Sequence, residues 1–84
     1  MANNQSRVIT EFYKNSNESE KVVFRINNFG GKTYADIRIF YKPDGAEDFR
    51  PSKKGLTLSI TLLDDLIDGL ERLQAEIEGD TEDE

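Results

Sequence analysis

Two turn signals divide the first two thirds of the chain into short strand-like segments, and they constrain the fold more than any other feature. Residues 28–31 (Asn-Phe-Gly-Gly) tolerate the positive φ angles of a hairpin turn. Residues 43–45 (Pro-Asp-Gly) form a second signal, because Pro presets φ, Asp bonds its own backbone and Gly takes the left-handed position. Strand-like sequence beside both turns predicts an antiparallel β-meander.

Four strands are predicted around these turns, from alternating polarity and from aromatic and β-branched side chains. They cover residues 22–28, 33–41, 48–50 and 56–59. Pro51 forces the third strand to an edge or a bulge, and residues 51–55 are expected to turn the chain into the fourth strand. Residues 8–13 are a candidate for a short fifth strand.

An amphipathic helix is predicted after the strands, beginning at about Ile60 with Ser59 or Thr61 as its cap. Its apolar arc is roughly 140° wide, which exceeds the roughly 100° that one packed face needs. We therefore expect a second contact, with a symmetry-related helix of a homodimer. The predicted dimer interface comprises Leu63, Leu66, Ile67, Gly69, Leu70 and Leu73.

The size of the chain also favours self-association. Its 84 residues allow one domain. We predict a polar N-terminal segment over residues 1–20, a ββββα domain over residues 21–78 and a flexible acidic tail over residues 79–84. A core of this size is marginal, and the chain contains no Cys or His that could supply disulfides or a typical structural metal site.

Charge is distributed unevenly along the chain, although its net charge is -6. Residues 21–54 carry eight basic and four acidic side chains, whereas residues 55–84 carry one basic and ten acidic side chains. A basic, aromatic-containing β-meander is typical of a nucleic-acid-binding surface, and the acidic remainder indicates a second face or a second role.

The residue types exclude most catalytic chemistry, so we predict no enzymatic activity, no cofactor and no metal site. Without His or Cys the chain lacks the commonest general base, metal ligand and thiolate nucleophile. Residues 31–33 (Gly-Lys-Thr) imitate the end of a phosphate-binding loop, but Ile26 stands where that motif needs Gly.

Neither a membrane span nor a signal peptide is indicated by the sequence. We therefore expect an intracellular protein with no membrane partner, in the cytoplasm or nucleoid of a bacterium or the nucleus of a eukaryote.

Two motifs carry a family resemblance. Residues 29–38 (Phe-Gly-Gly-Lys-Thr-Tyr-Ala-Asp-Ile-Arg) and residues 50–58 (Arg-Pro-Ser-Lys-Lys-Gly-Leu-Thr-Leu) resemble the C-terminal domain of the positive cofactor four family of transcriptional coactivators, and its small bacterial relatives. The resemblance covers about residues 20–73. It implies an α+β fold, with a four-stranded curved antiparallel β-meander followed by one C-terminal amphipathic helix. It also implies a homodimer whose sheets form cationic channels for single-stranded DNA.

The resemblance further implies which residues contact DNA. The family's contacting positions correspond to Phe29, Lys32, Arg38, Tyr41 and Lys54. The predicted nucleic-acid site adds neighbouring basic residues and comprises Arg25, Phe29, Lys32, Arg38, Tyr41, Arg50, Lys53 and Lys54. Tyr41 stands where eukaryotic members have Trp, and Asn27 and Gly30 replace basic or polar residues. The regulatory region of eukaryotic members is missing, so coactivator function is not implied.

The same residues make physical sense as a single-strand site, because unpaired bases stack on aromatic side chains while Lys and Arg follow the phosphates. Strand parity is the complication. Arg38 and Tyr41 are three residues apart and point to opposite faces of a regular strand. A shared site for both therefore requires a bulge or strong curvature.

Three other interpretations remain open at this point. The aromatics can be ordinary core or edge residues and the lysines ordinary solvated charges. The acidic helix face or residues 76–84 can bind a basic protein partner. The same sheet can act as an RNA chaperone, since nothing here selects or rejects a 2′-hydroxyl, and a melted duplex is a further possible ligand. The sequence leaves the base preference and the biological process undetermined.

Overall fold

The computed structural model describes the backbone of residues 4–82 and the side chains of residues 4–79. Strands β1 (Gln5–Tyr13), β2 (Glu20–Phe29), β3 (Lys32–Tyr41) and β4 (Arg50–Ser59) form one antiparallel sheet in the order β1-β2-β3-β4. A 3-10 turn (Ile60–Leu62) then leads into helix α1 (Leu63–Glu82). The predicted architecture, four antiparallel strands followed by one C-terminal helix, is confirmed.

The individual strands differ from the prediction at both edges of the sheet. The candidate fifth strand is β1, which pairs with β2 from Gln5 to Tyr13. Residues 48–50 and 56–59 were expected in separate strands, but a single bulged strand, β4, contains Arg50 and residues 56–59. The predicted turn over residues 51–55 is therefore wrong, because these residues continue along β3 instead of reversing direction.

The bulge in β4 is large and depends on a glycine. Arg38 pairs with Gly55 and Phe40 pairs with Pro51, so residues 52–54 lie opposite Ile39 alone. Gly55 has a φ of +145°, and a Cβ atom there would collide with the Ile37 carbonyl oxygen and lie 2.7 Å from the Arg38 Cα. Only glycine fits this close approach of the two backbones.

The β2–β3 turn has the predicted conformation. Gly30 and Gly31 form a two-residue loop with φ angles of +60° and +79°. Positive φ at both positions is the pattern of the type I′ turn, whose twist matches that of the flanking strands. The turn sets the register in which Phe29 pairs with Lys32.

Helix α1 begins slightly later and extends further than predicted. Ser59 caps the preceding 3-10 turn, and its hydroxyl accepts a hydrogen bond from the Thr61 backbone N–H. The α-helix continues to Glu82, so the segment from Gly79 to Glu82 of the predicted tail is helical, while residues 83–84 lie outside the described part of the chain. No helix in the described part is long and apolar enough to cross a membrane.

The chain encloses very little interior. Among the described residues, only Val23 and Asp36 are fully buried. The radius of gyration is 15.8 Å, whereas a compact chain of this length has about 12 Å. Leu70 and Leu73 on α1 are 51% and 56% exposed. One copy of the chain thus leaves much of its apolar surface uncovered.

Candidate nucleic-acid interface

Strand pairing assigns the side chains of the sheet to two faces, because paired residues point to the same side. One side, the polar face, carries Lys21, Val23, Arg25, Asn27 and Phe29 from β2 and Lys32, Tyr34, Asp36, Arg38 and Phe40 from β3. The other side, the apolar face, carries Val22, Phe24, Ile26, Ile37 and Ile39. Cations and aromatic rings are therefore interspersed along the polar face.

Asp36 lies at the centre of the polar face and holds two arginines. Its Oδ2 accepts hydrogen bonds from Nε and Nη2 of Arg25 at 2.9 and 2.7 Å. Its Oδ1 accepts from Arg38 Nη2 at 2.9 Å and from the Thr57 hydroxyl at 2.6 Å. The carboxylate side chain is 0% exposed, so both guanidinium groups are fixed against a buried negative charge.

The ionisation of Asp36 follows from these contacts. Burial by itself raises the pKa of the carboxyl group. Hydrogen bonds from Arg38, Thr57 and Arg25, together with the charge of Arg25, outweigh burial and hold the pKa of Asp36 below its ordinary value. The carboxylate is therefore negative at neutral pH and neutralises part of the charge of the two arginines.

Arg25 and Arg38, both in the predicted site, are largely occupied by the protein itself. Their side chains are 15% and 19% exposed. Arg38 also donates from Nη1 to the Ser52 carbonyl oxygen at 3.1 Å, and the Arg25 guanidinium lies 5.1 Å from the centre of the Phe40 ring. These arginines hold β2, β3 and β4 together on the polar face.

The hairpin end of the polar face carries the most exposed aromatic ring of the chain's described part. Phe29 is 64% exposed. Its strand partner Lys32 is also exposed and makes no ion pair within residues 4–79. An uncovered ring beside an unpaired ammonium group is suited to a stacked base and its phosphate.

The β4 bulge presents the second group of cations. The Ser52 hydroxyl donates to the Ile39 carbonyl oxygen at 2.7 Å and accepts from the Lys54 N–H at 3.1 Å, which fixes the backbone of the bulge. Lys53 and Lys54 are exposed and, like Arg50, form no ion pair among the described residues. Their charges are available to a ligand.

Tyr41 does not share a face with Arg38. The β2–β3 pairing is regular throughout, with Arg38 opposite Val23 and Tyr41 opposite Glu20. The bulge that the shared site required is present, but it lies in β4 and leaves the alternation of β3 unchanged. Tyr41, 40% exposed, is therefore at the end of β3 on the opposite side from Arg38.

The predicted site consequently divides into two regions along the sheet. Phe29 and Lys32 mark the hairpin end, and the β4 lysines lie opposite Ile39. Ile39 lies seven residue steps along β3 from Lys32, which corresponds to roughly 23 Å at the rise of an extended strand. One bound single strand would have to run along the sheet to contact both regions.

Sequence reasoning missed how several groups on the polar face contact one another. Asp36 was not identified as the residue that binds both arginines. Phe49 is enclosed by cations, with Lys21 Nζ 4.2 Å and Lys42 Nζ 5.8 Å from its ring centre, and the Tyr13 ring centre is 6.4 Å away. Lys21, Arg25 and Phe29 lie even numbers of positions apart. Because side chains alternate along a strand, this spacing could have placed all three on one face.

The predicted dimer residues all lie on α1. Leu63 and Leu66 are half-buried, whereas Ile67, Leu70 and Leu73 are exposed. Apart from its chain neighbours and the adjacent backbone of α1 itself, no described heavy atom lies within 4 Å of the position that a Cβ atom on Gly69 would occupy, so no other part of the described chain packs against it. The residues described contain no group of three or more carboxylates placed to hold a metal ion.

Solved structures of known proteins share this fold. A PC4 homolog from Burkholderia pseudomallei, in a tetragonal crystal form, superposes with a TM-score of 0.74 at 23% identity over 83% of this chain and 98% of that one. Its orthorhombic form gives a TM-score of 0.73 at 22% identity, over 88% and 96% of the two chains. No curated protein sequence matches the chain.

The family model for Transcriptional Coactivator p15 (PC4) matches residues 16–69, which include β2, β3, β4 and the first part of α1. The resemblance found in the sequence is thereby confirmed. The chain belongs to the PC4 family, a family known for nucleic-acid binding.

Proposed function

We propose that the protein is a non-enzymatic single-stranded DNA-binding protein that acts inside the cell as a homodimer. Membership of a nucleic-acid-binding family supports the ligand class. The observation that carries the proposal is the uncovered Phe29 ring, 64% exposed, beside the unpaired cation of Lys32. Phe29 is more exposed than any other aromatic residue in the described part of the chain, and an exposed ring beside a cation is the arrangement that stacks an unpaired base and binds its phosphate.

Stacking favours single strands over duplexes. The π face of a base is accessible only when the base is unpaired, and each stacked base contributes about 1 to 3 kcal/mol. Phe29 supplies one such platform at the hairpin end. Phe40 and Phe49 supply further rings along the polar face, each with a cation beside it.

Phosphate contacts are assigned to the cations that the protein leaves unpaired. These are Lys32 at the hairpin and Arg50, Lys53 and Lys54 in β4. Arg25 and Arg38 contribute by shaping the surface and by the charge that Asp36 leaves uncompensated. Tyr41 and Arg50 pair with each other at the end of the sheet, where we propose that they contact the strand as it leaves the polar face.

Homodimer formation is supported by the uncovered apolar surface. Ile67, Leu70 and Leu73 are 46%, 51% and 56% exposed along one side of α1. A monomer with one fully buried apolar residue in its described part would have a very small core. Association through α1, around Gly69, would bury this surface in a symmetric interface.

Fluorescence polarisation with matched single-stranded and double-stranded oligonucleotides at two salt concentrations tests the proposal. We expect tighter binding of the single strand and weaker binding at higher salt, because phosphate contacts release counterions. Lys32→Ala should reduce the slope of log binding constant against log salt concentration by about one unit per site. Lys14→Ala, which removes a lysine paired with Glu20, should leave the slope unchanged.

Other outcomes would redirect the assignment. Tighter binding of RNA than of DNA at equal length would indicate an RNA-binding protein. If the protein does not bind single-stranded oligonucleotides even at low salt, the proposal is contradicted. That result would favour a protein-interaction role for the acidic face of α1.

A further inference from the structure

A pocket opens at the hairpin end of the polar face, beside Phe29. Its lining comes from all four strands and from Asn4 just before β1, and it is mainly polar and uncharged. Besides Asn4, the lining residues on the polar face are Ser6, Asn27, Phe29, Tyr34 and Thr57. Their common face follows from pairing, since Asn27 is opposite both Ser6 and Tyr34.

Two carboxamide groups in this pocket are oriented by internal hydrogen bonds. The Asn27 Oδ1 accepts from the Ser6 hydroxyl at 2.7 Å. The Asn4 Oδ1 accepts from the Gly30 backbone N–H at 3.3 Å. Within residues 4–79 neither amide nitrogen has a protein acceptor, so each leaves two N–H donors for a ligand.

The chemistry of the lining restricts the ligand. No charged side chain lines the pocket, whereas phosphate sites generally use Arg, Lys or a helix N-terminus. The walls combine two amide donors with the Phe29 ring and the half-buried Tyr34 ring. A neutral, planar ligand with carbonyl acceptors on its edge fits this combination.

We propose that the pocket holds one unpaired base stacked on Phe29 and selects pyrimidines with two ring carbonyls, thymine or uracil, over cytosine, which has one. This inference rests on the proposed single-strand binding and adds a base preference to it. Thymine and uracil present O2 and O4 as acceptors to the amide donors of Asn4 and Asn27. Cytosine replaces O4 with an amino group, which would face a donor and leave both groups unpaired.

Comparing oligo(dT) with oligo(dC) isolates this effect, because both carry the same phosphate charge and present pyrimidine rings of similar size. We expect oligo(dT) to bind about tenfold more tightly by fluorescence polarisation, within the range of a good two-donor contact. Oligo(U) and oligo(C) form a second arm that shows whether the preference extends from DNA to RNA.

Asn27→Leu removes the donor while keeping a side chain of similar size. We expect the oligo(dT) to oligo(dC) affinity ratio to fall towards one, mainly through weaker oligo(dT) binding. Asn17→Leu makes the same chemical change in the β1–β2 turn, at the opposite end of the sheet, and should keep the ratio. If Asn27→Leu loses the circular dichroism spectrum of the native protein, Asn4→Leu at the pocket rim serves in its place.

The outcomes separate this inference from the proposed function. Single-strand binding with equal affinity for oligo(dT) and oligo(dC) would overturn the pocket assignment and leave single-strand binding intact. A thymine preference that persists in folded Asn27→Leu and Asn4→Leu variants would also overturn it. Absence of binding to every single strand would overturn the proposed function itself.

Discussion

Replacing Asp36 by Asn should strongly destabilise the protein. Asparagine keeps the shape of the side chain but removes the charge that holds Arg25 and Arg38. Both guanidinium groups would stay largely buried, at 15% and 19% side-chain exposure, without a counter-charge. They would also repel each other across the same site.

The magnitude follows from the burial of the carboxylate. Removing one partner of a buried ion pair costs about 3 to 5 kcal/mol, and the partial exposure of the arginines places this case near the lower end. A loss of about 3 kcal/mol is a large fraction of the ~5 to 15 kcal/mol that stabilises a typical domain. For a chain of this size it corresponds to a decrease in Tm of roughly 10 to 25 °C.

Thermal and urea unfolding followed by circular dichroism measure the effect. Protomer concentration must be equal for all variants, since the stability of a dimer depends on concentration. Asp68→Asn is the control, because Asp68 pairs with Arg72 at 62% and 80% side-chain exposure, and exposed pairs contribute ~0 to 1 kcal/mol. If the free energy of unfolding of Asp36→Asn is within about 0.5 kcal/mol of the wild-type value, the reasoning about the buried charge network is wrong.

The same carboxylate makes stability depend on pH in a defined direction. The folded-state pKa of Asp36 lies below its ordinary value, so folding is favoured by its ionisation. This contribution is fully present above the unfolded pKa, about 3.9, and is lost as pH falls through the lower folded pKa. Acid unfolding curves should show this loss in wild type, whereas Asp36→Asn should lack that component.

Three further predictions concern binding and association. Lys54→Ala should reduce the slope of log binding constant against log salt concentration by about one unit per site. Tyr41→Ala should weaken binding with little change in that slope. If both variants bind like wild type, the site is misplaced. Leu70 is 51% exposed in one chain, and Leu70→Asp should dissociate or unfold the homodimer because an unpaired carboxylate would have to be buried in the interface. An unchanged mass in sedimentation equilibrium would contradict this interface. Truncation after Ile77 removes five carboxylates and should tighten single-strand binding only at low salt, because screening limits their competition with phosphates; equal affinities at low salt would leave the tail a solubility role.

Local sequence determined the elements whose signals are local. Positive φ at Gly30 and Gly31 follows from residue type, and the register of the β2–β3 hairpin follows from that turn. The periodicity of the apolar residues similarly predicted α1. The family motifs located Phe29 and Lys32, which the structure places side by side at the hairpin end.

Pairing between distant segments determined the rest. Residues 51–55 resembled a turn because Pro, Ser and Gly are turn formers, yet they continue β4 because the Ser52 hydroxyl and Gly55 fit against the backbone of β3. The alternation of side chains along a strand predicted that Arg38 and Tyr41 point to opposite faces unless a bulge intervenes. Only the pairing register showed that the bulge lies in β4, so that β3 stays regular and the two residues remain on opposite faces. Spacing along one strand cannot specify its partner's register.

The candidate site shows the same division between local and long-range information. Sequence identified most of the cations, but it could not distinguish the arginines bound to Asp36 from the lysines left unpaired. That distinction depends on β2, β3 and β4 bringing Arg25, Asp36 and Thr57 into one cluster. The pocket beside Phe29 likewise exists because pairing of β1 with β2 places Ser6, and Asn4 just before β1, beside the hairpin. Residue type determines which charges and donors a chain carries, while burial and partners, which determine their availability, arise only from contacts between segments distant in sequence.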